Sequence, residues 1–332
     1  MSLWFPAVRP GTPTRPSDRS VAAATVPGVN RVQQLLGVDV PIVQAPMTFI
    51  ARARLAAAVS EAGGMGIIET LTPEGREDLL RVKELTDKPV GANLLVGGWK
   101  HDHSIVDTLV ESGVSYVATS AGDPGLFTAR LKDAGITVFH VVGTLRAALK
   151  AEAAGVDGLV VEGVEGGGFK GATGASTMVL LPLVASRTSL PLIAAGGICD
   201  ATSMAAAMVL GAEGVQMGTR MLATHESGVH PAFTDAVVAA PETGTMLVSV
   251  PGNPTMRVIA TERAHAWAAD PPADKLMDRV QELYFDGDLD ASLANTGQVA
   301  GRIDSVRPVA DVVREMWVGC RAALDAGHAR LG

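Results

Sequence analysis

Between residues 38 and 221 short apolar, β-branched runs alternate with longer stretches rich in Ala and Leu. The runs are VDVPIVQA (38–45), GMGIIET (64–70), KPVGANLLV (88–96), SYVATS (115–120), ITVFHVV (136–142), GLVVEG (158–163), LPLIAAGG (190–197) and EGVQMGTRM (213–221). They lack the apolar/polar alternation of a half-exposed strand, which predicts strands buried on both faces. The intervening stretches carry helical patterns, such as ARARLAAAVSEAGG and TLRAALKAEAAG, and several end in Gly just before the next run, a usual helix stop. Strand–helix alternation predicts a parallel sheet. Eight repeats predict its closure into a (β/α)8 TIM barrel, with an open doubly wound sheet as the alternative.

The rhythm stops near residue 222. Residues 223–305 read as helices and loops, with PETGTM, PGNP and DPPAD as turn signals. RPVADVVREMWVGCRAALDAG (307–327) has the spacing of a final amphipathic helix that docks back on the barrel. The expected organisation is therefore an irregular arm over 1–25 and a barrel over 26–222. A helical cap segment over 223–305 covers the barrel mouth, and a C-terminal helix lies within 306–332. The first twenty residues hold Pro, Arg and Ser but no apolar core run, so no secretory signal is read there.

Composition narrows the function classes. Of 332 residues, 47% are hydrophobic and 19% charged, the balance of a chain with a large core. The formal net charge of −8 opposes binding to a phosphate backbone, so no nucleic-acid partner is expected. No uninterrupted apolar run reaches the ~18 residues of a membrane span. Two cysteines, Cys199 and Cys320, make neither a disulfide framework nor a metal cage, which suits a reducing, cytoplasmic setting. No metal-ligand spacing stands out, and His101 with His103 reads as a surface pair.

Barrel enzymes carry their sites at the C-terminal strand ends. Here those ends are rich in Gly: EGVEGGGFKGATG (162–174), AAGGICD (194–200) and QMGTR (216–220). Gly lets backbone N–H groups approach an anion, and the loops after the last two strands are the usual phosphate site of this fold. Each loop alone could be a tight turn; three together favour a phosphate. Asn93 is a polar residue in an apolar strand. A buried amide needs partners, which a heterocycle or a neighbouring loop would supply.

The motifs PIVQAPM, EAGGMGII, GANL, EGVEGGGFKG, LIAAGGICD, GVQMGTRMLAT and ESGVHP, in this order, resemble the bacterial nitronate monooxygenases and the flavin-dependent enoyl-acyl-carrier-protein reductase II enzymes. The resemblance covers about residues 30–325. It implies FMN at the barrel mouth, with NADH or NADPH as a candidate co-substrate. By it, Ala45, Pro46 and Met47 line the isoalloxazine, and Asn93 binds the ring or ribityl chain. Glu162, Gly167, Gly197, Gln216, Met217, Gly218 and Thr219 complete the ribityl and phosphate shell. The monooxygenases usually carry Gln where Glu162 stands; the reductases usually carry Glu.

One departure concerns the chemistry. Both branches of the family have His in the loop position held here by Phe169, and a phenyl ring neither accepts nor donates a proton. Nitronates are already anions, so their oxidation suffers less than that of neutral nitroalkanes, which need a base. Lys170 could polarise a carbonyl or bind an anion, although a loop lysine is by default solvated. His140, late in the fifth run, could face the pocket or sit in the core. His225 and His230 read as structural, and Cys199 as a small buried residue. Three functions follow. The first is a nitronate-monooxygenase-like FMN oxidoreductase. The second is an NAD(P)H-dependent reductase of an activated alkene or enoyl thioester. The third is a flavin-binding protein without the family's chemistry. Phe169 points to a small-molecule substrate that is apolar or thioester-linked. A homodimer is an open expectation.

Overall fold

A computed structural model describes residues 30–170, 174–249, 254–271 and 279–331. The arm expected over 1–25 lies outside these residues.

All eight expected strands form. They are β1 (Ile42–Gln44), β2 (Gly66–Glu69), β3 (Val90–Leu95), β4 (Tyr116–Ser120), β5 (Thr137–Val142), β6 (Gly158–Glu162), β8 (Leu192–Ala195) and β9 (Gly214–Met217). They pair in parallel in the order β1-β9-β8-β6-β5-β4-β3-β2. The ends of that row meet: Gln44 N donates to Met65 O (3.0 Å), and Met65 N donates to Ile42 O (2.9 Å). The sheet is therefore a closed (β/α)8 barrel and not the open doubly wound alternative.

Alternate residues along each strand explain the unbroken apolar runs. Val43, Ile67, Ala118, Phe139, Val160 and Ile193 pack with Tyr116 inside the barrel. Their neighbours Ile42, Ile68, Val117, Val138, Leu159 and Ala194 pack outward against the helices. Tyr116 and Phe139 meet edge to face, with ring centroids 5.6 Å apart. Helix Arg31–Leu36, capped by the Asn30 side chain, adds Val32 and Leu36 to this interior cluster. Some helix–strand contacts are very close: a Cβ on Gly66 would lie 1.9 Å from Ala56 O of helix Ala53–Glu61.

The segment after residue 222 departs from the expectation of helices and loops. It does hold helices Pro231–Ala239 and Glu262–Ala269. Between them β10 (Thr245–Val248) and β11 (Thr255–Ile259) pair antiparallel. The sequences TMLV and TMRVI flank the PGNP turn signal, the pattern of a hairpin. A third strand, β7 (Gly168–Lys170), comes from the loop after β6 and pairs with β11, placing Phe169 opposite Met256. This small sheet ties the cap segment to the barrel mouth.

The final helix, Val309–Ala329, forms as expected. It buries Val309, Val312, Val313, Met316 and Cys320 along one stripe. It packs on helices Ala201–Val209 and Ala53–Glu61, the outer neighbours of β9 and β2.

Candidate active site

A cavity of about 1170 Å³ opens at the C-terminal ends of the barrel strands and reaches β7 of the small sheet. It exceeds the roughly 300–1,000 Å³ usual for a single small-molecule site. Its walls bring together thirteen of the fourteen residues singled out from the sequence. Ala45, Pro46 and Met47 follow β1, and Asn93 lies on β3. Glu162 and Gly167 lie at and after the end of β6, and Gly197 follows β8. Gln216, Met217, Gly218 and Thr219 end β9 and begin the next turn. Phe169 and Lys170 come in from β7.

His140 is the exception, and the expectation that it faces the pocket needs correcting. Its neighbours on β5 settle its direction: Phe139 points into the barrel and Val141 lines the cavity, so His140 faces the other way. It is buried, with Nδ1 2.8 Å from Thr119 Oγ1 on the adjacent strand. Burial lowers its pKa to about 4, so the ring is neutral at ordinary pH.

Lys170 is not the solvated loop lysine of the default expectation. Its side chain is 7% exposed, and Nζ lies 2.5 Å from Glu162 Oε1. The ion pair depends on Gly166, where a Cβ would sit 2.3 Å from Glu162 Oε1 and 2.9 Å from Lys170 Nζ. The other two carboxylates of the wall are engaged elsewhere. Glu69 accepts from Leu71 N and Thr72 N at the start of helix Pro73–Arg81, and Glu165 accepts from Thr177 N at the start of helix Thr177–Ala185. Among the described residues lining the cavity, Lys170 is the one cation and there is no histidine.

Phe169 is 41% exposed at the cavity mouth. Asn93 uses its amide N–H groups within the protein, donating to Ala118 O (2.8 Å) and Ser120 Oγ (3.3 Å). Cys199 is buried, and burial pushes its thiol up to about 11, against a nucleophilic role. His230 caps helix Pro231–Ala239 by accepting from Ala232 N, while His101 and His103 are exposed. Among the described residues, no cluster of His, Cys, Asp and Glu could hold a metal ion, and no helix is long and apolar enough to cross a membrane.

Sequence reasoning missed the roof of the site. Asn295 and Tyr284 come from the cap segment and line the cavity. Burial pushes the Tyr284 hydroxyl up to about 12, with hydrogen bonding to Asn295 pulling the other way. Asn295 Oδ1 has no protein partner. Arg257 on β11 fixes the roof to the loop after β6, donating from Nε to Val164 O (2.8 Å). No local pattern marks these residues, because their roles depend on the β7–β11 pairing.

FMN fits these walls. Gln216 is 6% exposed, and its Oε1 is a buried acceptor without a partner, which an N–H of a bound heterocycle would satisfy. Gly196 and Gly197 both take positive φ (82° and 80°), a conformation that turns the backbone after β8 and that side chains resist. At Gly218 a Cβ would meet only Ala45 Cβ at 3.6 Å and Met47 Sδ at 3.8 Å, so there is open space beside the β9 loop.

Fold and site define a (β/α)8 barrel with a large cavity at its C-terminal strand ends, and the family match makes its class an oxidoreductase. More particularly, the chain belongs to the nitronate monooxygenase family, which it matches over residues 30–102 and 97–319. That family consists in general of FMN enzymes. The chain is 36% identical over 235 residues to a (3aS,4S,5R,7aS)-5-hydroxy-7a-methyl-1-oxo-octahydro-1H-indene-4-carboxyl-CoA dehydrogenase of Mycobacterium tuberculosis, covering 69% of this chain and 65% of that one. It thus spans a little under two thirds of that relative's length. It is 32% identical to a nitronate monooxygenase of Pseudomonas aeruginosa, covering 63% of this chain and 73% of that enzyme. The structure of FabK from Thermotoga maritima superposes with a TM-score of 0.85 at 34% identity, covering 91% of this chain and 99% of FabK.

Proposed function

We propose that this protein is an FMN-dependent oxidoreductase that moves hydrogen across the Cα–Cβ bond of an acyl thioester. The observation that carries this reading is the Lys170–Glu162 pair in the wall of a large cavity with no histidine among its described lining residues. In the reducing direction FMN, itself reduced by NADH or NADPH, would supply the hydride to Cβ, and water would supply the proton to Cα. Ala45, Pro46, Met47, Asn93 and Gln216 would hold its ring, and Gly197, Gly218 and Thr219 its phosphate. In either direction of such a reaction, negative charge develops on the thioester carbonyl oxygen. Lys170 donates to that oxygen, and Glu162 holds the ammonium in place. A charged donor fixed before the reaction stabilises developing charge without reorganising. The phenyl ring of Phe169 takes the place of the family's histidine and offers an apolar wall to the acyl group. The CoA-thioester relative supports this substrate class.

Nitronate oxidation is the second reading, favoured by the family match. A nitronate needs no base, so the site could oxidise one without histidine.

Two variants test the leading reading. Lys170→Met lowers kcat on an enoyl-CoA about 10²–10³-fold, the cost of a lost oxyanion donor, while FMN is retained. Lys170→Arg recovers part of the loss. Unchanged thioester turnover in Lys170→Met refutes the assigned role.

A further inference from the structure

One lip of the cavity is formed by Leu71, Gly97 and Gly98. Arg76 stands directly behind it. It projects from helix Pro73–Arg81 and donates from Nη1 to Thr70 O (3.1 Å) and Leu71 O (3.3 Å). Its guanidinium carbon lies 5.3 Å from the ring centroid of Trp99, the residue that follows Gly98. Among the described residues it makes no ion pair. Asp102, close enough to feel its charge, accepts instead from Ser104 N. Lys100 and His101 extend the same lip and are exposed. Arg76 and Lys100 against Asp102 leave this lip with a small positive excess on a chain of net charge −8.

Two carbonyls and an indole hold the Arg76 fork in one orientation, so meeting an anion costs little additional ordering. The carbonyls occupy one guanidinium nitrogen, leaving the rest of a planar, half-buried donor array behind Leu71, beside the cavity wall rather than in it. Planar forks of this kind match phosphate oxygens. In the proposed function the cofactor's single phosphate is assigned to Gly197, Gly218 and Thr219 in the loops after β8 and β9, which leaves this lip for a second reactant.

From this we infer that Arg76, supported by Lys100, binds a phosphate on the long tail of a reactant that enters over Leu71, Gly97 and Gly98. The inference rests on reading the cavity as an oxidoreductase site. Two reactants share the required chemistry: a coenzyme A thioester and a phosphorylated nicotinamide dinucleotide. The apolar head of the former reaches Phe169 and Lys170 while its phosphates stay at the lip.

Calorimetric titration of the purified full-length protein tests this with three probes: coenzyme A, NADP⁺ and pantetheine, which has no phosphate. Arg76→Gln is expected to weaken coenzyme A or NADP⁺ about tenfold or more, the loss expected for a charge-assisted hydrogen bond. The probe that weakens identifies the tail. Arg76→Lys is expected to fall between, and pantetheine binding to stay unchanged. The inference is overturned if neither phosphorylated probe binds, or if Arg76→Gln binds both as tightly as the parent. It is also overturned if pantetheine weakens as much, which would make Arg76 a support for Leu71 alone. No turnover is needed. A protein that binds coenzyme A through Arg76 without exchanging hydrogen with its thioesters refutes the proposed reaction and leaves this site standing.

Discussion

Two side chains carry the proposed chemistry, Phe169 and Lys170, while His140 stands outside the cavity. If Phe169 occupies the position of a proton-transferring histidine, Phe169→His should raise activity on neutral nitroalkanes more than on nitronates. A general base is worth about 10²–10⁴-fold, so initial rates on the two forms of one nitroalkane resolve the effect. An equal response of both forms contradicts the role given to that position. Phe169 was legible in the sequence because the Gly-rich loop around it matches the family motif. The burial of Lys170 was not. Its partner is eight residues away in the chain, and only the turn back into β7 brings the two charges together.

His140 carries a prediction about stability. Its folded pKa of about 4 lies below the unfolded value of 6.5, so the unfolded chain binds the proton more readily. Stability is therefore lost as pH falls from about 6.5 toward 4, by up to ~3 kcal/mol from this one group. In His140→Asn, denaturant midpoints should depend less steeply on pH across that window. An unchanged slope contradicts a buried neutral ring. Activity should not share this profile, since the imidazole faces away from the cavity.

At the scale of elements, the barrel strands were readable because each is buried on both faces, which leaves continuous apolar runs. The small sheet was not. Its strands are three to five residues long, and its central pairing joins β7 to a hairpin far along the chain. Such a contact leaves no periodicity in either segment. The loops proposed to hold the FMN phosphate allow a test at this scale. A Cβ at Gly218 meets nothing closer than 3.6 Å, so Gly218→Ala should keep FMN. If the phosphate sits where proposed, Gly218→Asp puts a carboxylate beside it and should release the cofactor by charge repulsion, seen as loss of bound flavin on gel filtration. Retention of FMN by Gly218→Asp would place the phosphate elsewhere.

For the whole molecule, the barrel supplies the floor, and the cap segment supplies the roof through Pro254, Tyr284 and Asn295. The cavity between them has room for a cofactor and a substrate together, and Lys170 reaches it from the join of floor and roof. The central claim is that hydrogen passes between flavin and an acyl thioester here. The most direct measurement is anaerobic: the flavin is reduced, an enoyl-CoA is added without oxygen, and the flavin spectrum is followed. Return of the oxidised spectrum, with one saturated thioester formed per flavin, is the predicted result. A flavin that stays reduced until oxygen is admitted, in a protein that then turns over nitronates, would contradict the account.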